Sequence, residues 1–413
     1  MKPDVIFVGA GPVGLYTAIQ AKLYNPALTI LMLERDSEYK RTHVLNIDKK
    51  AHLGSHPDAR LQEVLAQLEG LVPTLEIENR LKALAKSLGI HFNYEKVDHV
   101  DLLTQRYPSA NTIIGADGAH SIVRREIFRD IKRDEKSMQY IIEVKYHSKK
   151  NTRKLNFLEY FQALTQINHL AVESVGKENN DATPVTLAFF TDKETYEALR
   201  ALDVTSWKTM SFVELEQQTN PKISTIASSI LSWMKYRHQH TQEVVLENSD
   251  KIAPVEFSTY RSESVVMDKN GRRFILIGDA AMSVPFFRAV NAGLKGGNYA
   301  AQLIADNAYQ MQSQSDFFNR SRPAYRYTPK HYQQAFEAIA KNEISWAHHL
   351  NRLVNLGSFV IFSLQQSLRL LSLSMSMFYH GLVQMFHPLL NNDPQFDSTA
   401  DRRTNKMLSL SSD

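Results

Sequence analysis

The sequence predicts an α/β fold: a parallel sheet flanked by helices, an inserted antiparallel sheet, and a helical C-terminal region. Three observations predict it. The chain opens as strand, glycine turn, helix and strand within roughly 30 residues, the unit from which parallel sheets are wound. From about Ser137, short strand-like runs alternate with polar loops, as in an antiparallel sheet. After a last buried-strand pattern at Phe274–Ile277, helical periodicity dominates to about Leu390.

Taken in order, Val5–Val8 is a short apolar run bounded by a turn, and so a buried strand. Val13–Tyr24 carries a helical pattern and Leu28–Leu33 is the second strand. Arg35–Lys50 is polar. Arg60–Leu68 and Leu75–Leu88 read as helices, the second stopped by Gly89, and Ile90–Tyr94 as a further strand. Thr112-Ile113-Ile114-Gly115 is another buried strand. Tyr140–Tyr146, His169–Ser174 and Val185–Phe190 are the strands of the insert, with a helical part around Phe212–His240. The boundaries that follow are a discontinuous nucleotide-binding domain, 1–136 with 251–310, and an insert, 137–250. A helical region, 311–390, and a loose polar tail, 391–413, complete the chain.

The 413 residues suffice for two or three folding units. Net charge is +4, and no dense Lys/Arg run is interleaved with aromatics, which argues against a nucleic-acid partner. The absence of cysteine excludes disulfides, thiolate catalysis, iron–sulfur clusters and Cys-based zinc sites. Redox chemistry here must be carried by a borrowed cofactor. Met1–Asp4 leads straight into the first strand with no secretory signal pattern, so the expected location is the cytosol.

Three motifs carry chemistry. The first is Gly9-Ala10-Gly11-Pro12-Val13-Gly14, after a strand and before a helix. Its glycines serve a tight turn, close backbone approach to a pyrophosphate, and helix–strand packing. The helix N-terminus then offers free N–H groups and the positive end of its dipole. Glu34 ends the second strand twenty residues after Gly14, where a carboxylate accepts from ribose hydroxyls. The second motif runs from Gly115-Ala116-Asp117-Gly118 to Arg124. The third is Gly278-Asp279-Ala280-Ala281, followed by Pro285 and by Asn291-Ala292-Gly293-Leu294-Lys295-Gly296-Gly297. An Asp at a strand end binds ribityl or ribose hydroxyls, and a glycine-rich helix start holds phosphate or a ring edge through N–H groups.

In this order and spacing the three motifs resemble the class A flavoprotein monooxygenase family, the para-hydroxybenzoate hydroxylase type, over roughly Lys2–Asn307. The resemblance implies a Rossmann-like FAD-binding domain with an inserted antiparallel-sheet substrate domain. It implies that Gly9, Gly11, Pro12, Gly14, Glu34 and Arg35 hold the ADP half of FAD. Arg80 matches a family arginine that reaches the pyrophosphate. Asp279 would bind the ribityl or pyrophosphate region, and Pro285, Gly293 and Leu294 would approach the flavin ring. Asp117, Gly118 and Arg124 match a motif tied to both FAD and NAD(P)H. Some stretches are similar to the MICAL monooxygenase domain. Arg41-Thr42-His43-Val44-Leu45 resembles its Arg-Asn-Asn-Val-Leu segment, and Pro285-Phe286-Phe287 its Pro-Phe-Trp. Asn291 stands where the wider family has a glycine, Phe287 where the branch has Trp, and Met282 where the family often has a polar residue.

The implied activity is an NAD(P)H-driven monooxygenase that inserts one atom of O2 by way of a flavin C4a-hydroperoxide. Arg41 and His43 are the flavin-side catalytic candidates by resemblance, and Tyr260 and Arg261 are candidates for the substrate face. Two alternatives stay open: a flavin-dependent reductase or oxidase of the same fold, and a catalytically weak FAD-bound interaction protein. The substrate is a small molecule or a protein side chain. His52 with His56, His238 with His240 and His348 with His349 lack a third partner, so no metal is expected. Residues 354–390 carry one charge, Arg369, and an apolar stripe at helical spacing. The stripe has two readings: helices packed on the flavin domain, or a face that docks peripherally on a membrane or a protein partner.

Overall fold

The computed structural model describes residues 1–37, 44–149, 151–176, 178, 181–206, 208–285, 288–312, 327–353, 355, 356 and 363. The chain is mixed α/β and divides into two compact units. The first comprises Met1–Glu143, Phe190–Met210 and Lys251–Leu353; the second takes in Val144–Phe189 and Ser211–Asp250.

The first unit begins β1 (Val5–Val8), α1 (Pro12–Tyr24) and β2 (Ile30–Glu34). It continues β3 (Val44–Ile47), α2 (Ala59–Gln67), β4 (Gly70–Pro73), α3 (Thr74–Ser87) and β5 (His91–Tyr94). Then come α4 (Val100–Arg106), β6 (Thr112–Gly115) and α5 (Ile122–Ile127). β7 (Arg133–Lys149) runs on into the second unit. That unit holds α6 (Phe157–Thr165), β8 (Ala171–Val175) and most of β9 (Ala182–Thr191). The chain revisits the first unit with α7 (Lys193–Ala201). The second unit resumes with α8 (Phe212–Glu216), α9 (Pro221–Thr241) and β10 (Val244–Val245). The first is completed by β11 (Lys251–Ser262), β12 (Val266–Lys269), β13 (Arg272–Leu276), β14 (Met282–Ser283), α10 (Ala289–Gln312) and a helix over 329–353, α11.

The main sheet has the order β12-β13-β6-β1-β2-β5. All pairs are parallel except the edge hairpin β12–β13. Numbered among themselves, the parallel strands read 3-2-1-4-5, the doubly wound order. β1 and β6 are buried at every position, as strands covered on both faces must be. The hairpin turns at Asn270-Gly271, both at positive φ (51° and 71°), the type I′ geometry that matches strand twist.

α1 and α10 pack unusually close. A Cβ on Gly293 would stand 2.5 Å from Val13 Cγ2, and one on Gly297 2.5 Å from Thr17 Oγ1. Leu15, Ile19, Leu303 and Ile304 are buried in the same core, each contributing about 1.5–3 kcal/mol. Tyr332 of α11 sits in that core and its hydroxyl donates to the Leu276 carbonyl at 2.8 Å.

In the second unit β8 pairs antiparallel with β9, Ala171 facing Phe189. Trp233 of α9 is fully buried, edge-on to Phe189 and Tyr160. The helical part expected around Phe212–His240 comprises two helices, because Asn220 caps and Pro221 starts the second. Among the described residues no helix is long and apolar enough to cross a membrane. The apolar stretch 354–390 lies outside the described residues, apart from 355, 356 and 363.

Candidate functional site

The three motifs sit at the carboxyl ends of three neighbouring parallel strands, β1, β6 and β13. Their registers align Val8 with Gly115 and Gly115 with Leu276. The order of the sheet reverses between β1 and β6, so this edge is the topological switch point where doubly wound sheets bind ligands.

At the first motif Gly9 adopts φ +100°, and a Cβ there would lie 2.5 Å from the Ala116 carbonyl oxygen. Only glycine makes that turn so close to the second motif. Glu34 closes the loop from the other side: Ala10 N donates to its Oε2 at 2.7 Å and Asp36 N to its Oε1 at 3.2 Å. α1 starts at Pro12 with Gly11 as N-cap, and no side chain caps it. A Cβ on Gly11 would meet only Glu78 Oε1, at 4.0 Å. An uncapped helix end behind a glycine with open space before it is a cradle for a pyrophosphate. These residues fit the ADP half of a dinucleotide such as FAD. Glu78, which faces Gly11, is not marked by any motif in the sequence.

The three arginines make contacts within the protein. Arg35 pairs with Asp36 at 3.0 Å. Arg80 pairs with Glu76, one turn before it on α3, at 2.8 Å and also bonds Gln67. Arg124 is buried and spends its guanidinium on carbonyls: Ala280 at 2.8 Å, Asp279 at 3.3 Å, and Ala119. It therefore staples the second motif to the third.

Asp117 reaches the start of α5, accepting from Ile122 N at 2.6 Å, while its Oδ1 is buried without a hydrogen-bond partner among the described residues. Burial pushes its carboxyl above the usual carboxylate range, although bonds from Ser121 and Ile122 oppose this. Gly118, next to it, opens a single helical turn, Gly118–His120.

Tyr260 is buried behind the third motif and its hydroxyl donates to the Asp279 carbonyl. Two guanidinium groups approach its ring, Arg133 at 3.9 Å and Arg124 at 5.4 Å from the centroid. Burial, with Asp279 nearby, pushes the phenol up to about 12. At neutral pH it donates a hydrogen bond and does not act as a base. Gly293 faces Val13, and Leu294 is buried in the core. Pro285 is half-buried. Arg41, His43 and Phe287 lie outside the described residues.

Two features beyond the expected residues shape this edge. Asn291, at the start of α10, donates to the Asn46 carbonyl at 2.8 Å and accepts from Asp48 N at 3.0 Å. Asn291 thus clasps the end of β3. Glu343 of α11 is buried and takes Lys295 Nζ at 3.0 Å together with Arg288, whose guanidinium covers Trp346. Burial would raise Glu343, but these two cations hold it below the usual carboxylate range. Helical periodicity marks neither contact, since the partners are far apart in sequence. Among the described residues no three His, Cys, Asp or Glu side chains gather as a metal site.

No protein-family model matches the sequence, and no curated protein matches it significantly. Solved structures do resemble the fold. AlpK superposes with a TM-score of 0.55 at 17% identity, covering 93% of this chain and 76% of that one. The flavin-dependent brominase Bmp2 gives 0.52 at 14%, covering 89% and 90%. CmlS, a flavin-dependent halogenase, gives 0.51 at 15%, covering 82% and 63%. At these identities the likeness is one of fold.

Proposed function

We propose that this chain is a flavin-dependent oxidoreductase that holds FAD along the carboxyl edge of its parallel sheet, working as an NAD(P)H-driven monooxygenase. The observation that carries the reading is the convergence of three motifs on three adjacent strand ends, beside an uncapped helix and an open glycine. Two of the similar structures, Bmp2 and CmlS, are flavin-dependent enzymes, which supports the cofactor.

In this reading Gly11 and the first N–H groups of α1 take the pyrophosphate, and Glu34 takes the adenosine ribose. Asp279 binds further along the cofactor, its backbone held by Tyr260 and Arg124. When bound, FAD supplies the two-electron redox chemistry that a chain without cysteine cannot perform. The chain's own tasks are to position it, admit the second substrate and keep water out.

The test is reconstitution of the full chain with FAD, then absorption near ~450 nm before and after anaerobic NADPH. Retained flavin that bleaches, and labelled O2 appearing in product, is the expected result. Halogenated product from bromide or chloride would move the activity to halogenation. Peroxide alone, with no oxygen transfer to any substrate tried, would move it to an oxidase. Failure to retain FAD would overturn the reading.

A further inference from the structure

A cavity of about 970 Å³ opens in the first unit between the start of β7, the end of β11 and α11. Four full cations line it: Lys136, Arg261, Lys341 and Arg352. His348 and His349 join them, and the only carboxylates in the lining are Asp134 and Glu337. Asp134 is taken up by Arg261 at 3.6 Å, and Glu337 accepts from Gln333 at 2.8 Å. Among the described residues no carboxylate lies within ion-pairing distance of Lys136, Lys341 or Arg352. His348 registers the resulting field. Its pKa is lowered, first by burial and then by Lys136 and Arg352, against a smaller pull from Asp134.

The walls are fixed before any ligand arrives. Gln139 of β7 donates to Asn351 of α11 at 2.7 Å. Gln333 of α11 accepts from Val265 N at 3.0 Å and donates to the Glu263 carbonyl at 2.8 Å. A preformed groove loses little freedom on binding. Its volume is at the upper end for small-molecule sites, far more than one inorganic anion fills. An excess of unpaired cations calls for more than one negative charge on the occupant.

We propose that this groove is a binding site for a phosphate-bearing organic anion of nucleotide size, held by Lys136, Lys341 and Arg352. Two sources share that chemistry: the reductant, if it is NADPH with its extra phosphate, or a separate phosphorylated ligand. The first source rests on the flavin reading above; the groove itself does not.

The experiment measures binding of pyrophosphate, NADPH and NADH by calorimetry to the full chain loaded with FAD. It compares the native protein with a Lys341→Ala/Arg352→Ala double variant. Both positions are exposed, so the variant keeps the fold. Lys136→Ala is the second, independent variant. The expected result is a loss of at least about tenfold in pyrophosphate affinity in the double variant, steepening at low salt. NADPH tighter than NADH, with the gap closed in the variant, identifies the reductant. Equal binding of NADPH and NADH, with the pyrophosphate loss intact, identifies a separate phosphorylated ligand. Pyrophosphate affinity unchanged in both variants would overturn the proposal. So would an oligonucleotide that binds through the same residues more tightly than any nucleotide. If FAD is not retained, the glycine loop also takes pyrophosphate, and the difference between native and variant protein is read instead. Failure to retain FAD sinks the flavin reading, and a native-to-variant difference that survives it leaves the groove standing.

Discussion

Each unit buries a guanidinium group, and the two use it differently. Arg237 of the second unit is fully buried among carboxylates. It binds Glu243 through two bonds of 3.0 and 2.8 Å, Glu173, the Arg153 carbonyl and the Tyr146 hydroxyl. Tyr146 and Thr152 complete Glu243, and Leu155 N completes Glu173. Every charge there is answered from within the unit. Arg124 of the first unit hydrogen-bonds to backbone carbonyls, and α1 of the same unit starts uncapped over open space. A polar cluster closed on itself is a structural device. Polar backbone left facing outward at a strand edge is a place for a ligand.

The largest test of that contrast is Arg237→Ala. It leaves Glu173 and Glu243 buried with no cation, which costs about 3–5 kcal/mol. Burial already holds Glu173 above the usual carboxylate range, while Arg237 pulls Glu243 below it. Urea unfolding should show the loss. The folded fraction should still retain FAD, because no residue of this cluster lies at the glycine edge. Flavin lost from folded protein would break the contrast.

Gly9→Ala tests the other side. The added Cβ meets the Ala116 carbonyl at 2.5 Å in a backbone conformation that alanine rarely adopts. Strain of about 1–3 kcal/mol should appear as a lowered melting temperature. Flavin retention should fall much further than stability does, since the turn aims the N–H groups of α1. Equal losses in both would mean that the glycine edge is only structural.

The edge was legible in the sequence because each motif directly follows its strand, so finding the strand finds the motif. The doubly wound order follows from alternation of helix and strand. The directions of long side chains were not legible. Spacing gave Arg80 and Arg124 as cofactor contacts only through a resemblance, and it does not tell that one bonds Glu76 and the other three carbonyls. Which partner wins depends on geometry that spacing does not carry. The Arg237 cluster was invisible for a related reason: Glu173 is 64 residues away, and neither acid stands in a motif. The helical part around Phe212–His240 was legible from its periodicity, and Asn220-Pro221 marks where α9 begins within it.

Glu343 sharpens the comparison, being a closed charge cluster inside the first unit. Its folded pKa is depressed, so its contribution is present above the ordinary carboxylate value and is lost as pH falls through the folded value. Glu343→Gln should cost about 2 kcal/mol at neutral pH. The gap in melting temperature between native protein and variant should shrink below roughly pH 4. A gap that is constant with pH would mean that Arg288 and Lys295 draw nothing from the charge.

Tyr260→Phe is the smallest change and separates positioning from catalysis. The ring keeps its contacts with Arg133 and Arg124, and the bond to the Asp279 carbonyl goes, worth about 1 kcal/mol. If Tyr260 positions Asp279, the variant loses FAD affinity by a few-fold, and turnover at saturating flavin keeps its native rate. Burial pushes the phenol up to about 12, so it does not titrate between pH 6 and about 10. The ratio of native to variant activity should therefore stay flat across that range. A ratio that changes with pH, or a kcat loss beyond about a hundredfold, would instead make the hydroxyl a proton donor in the reaction.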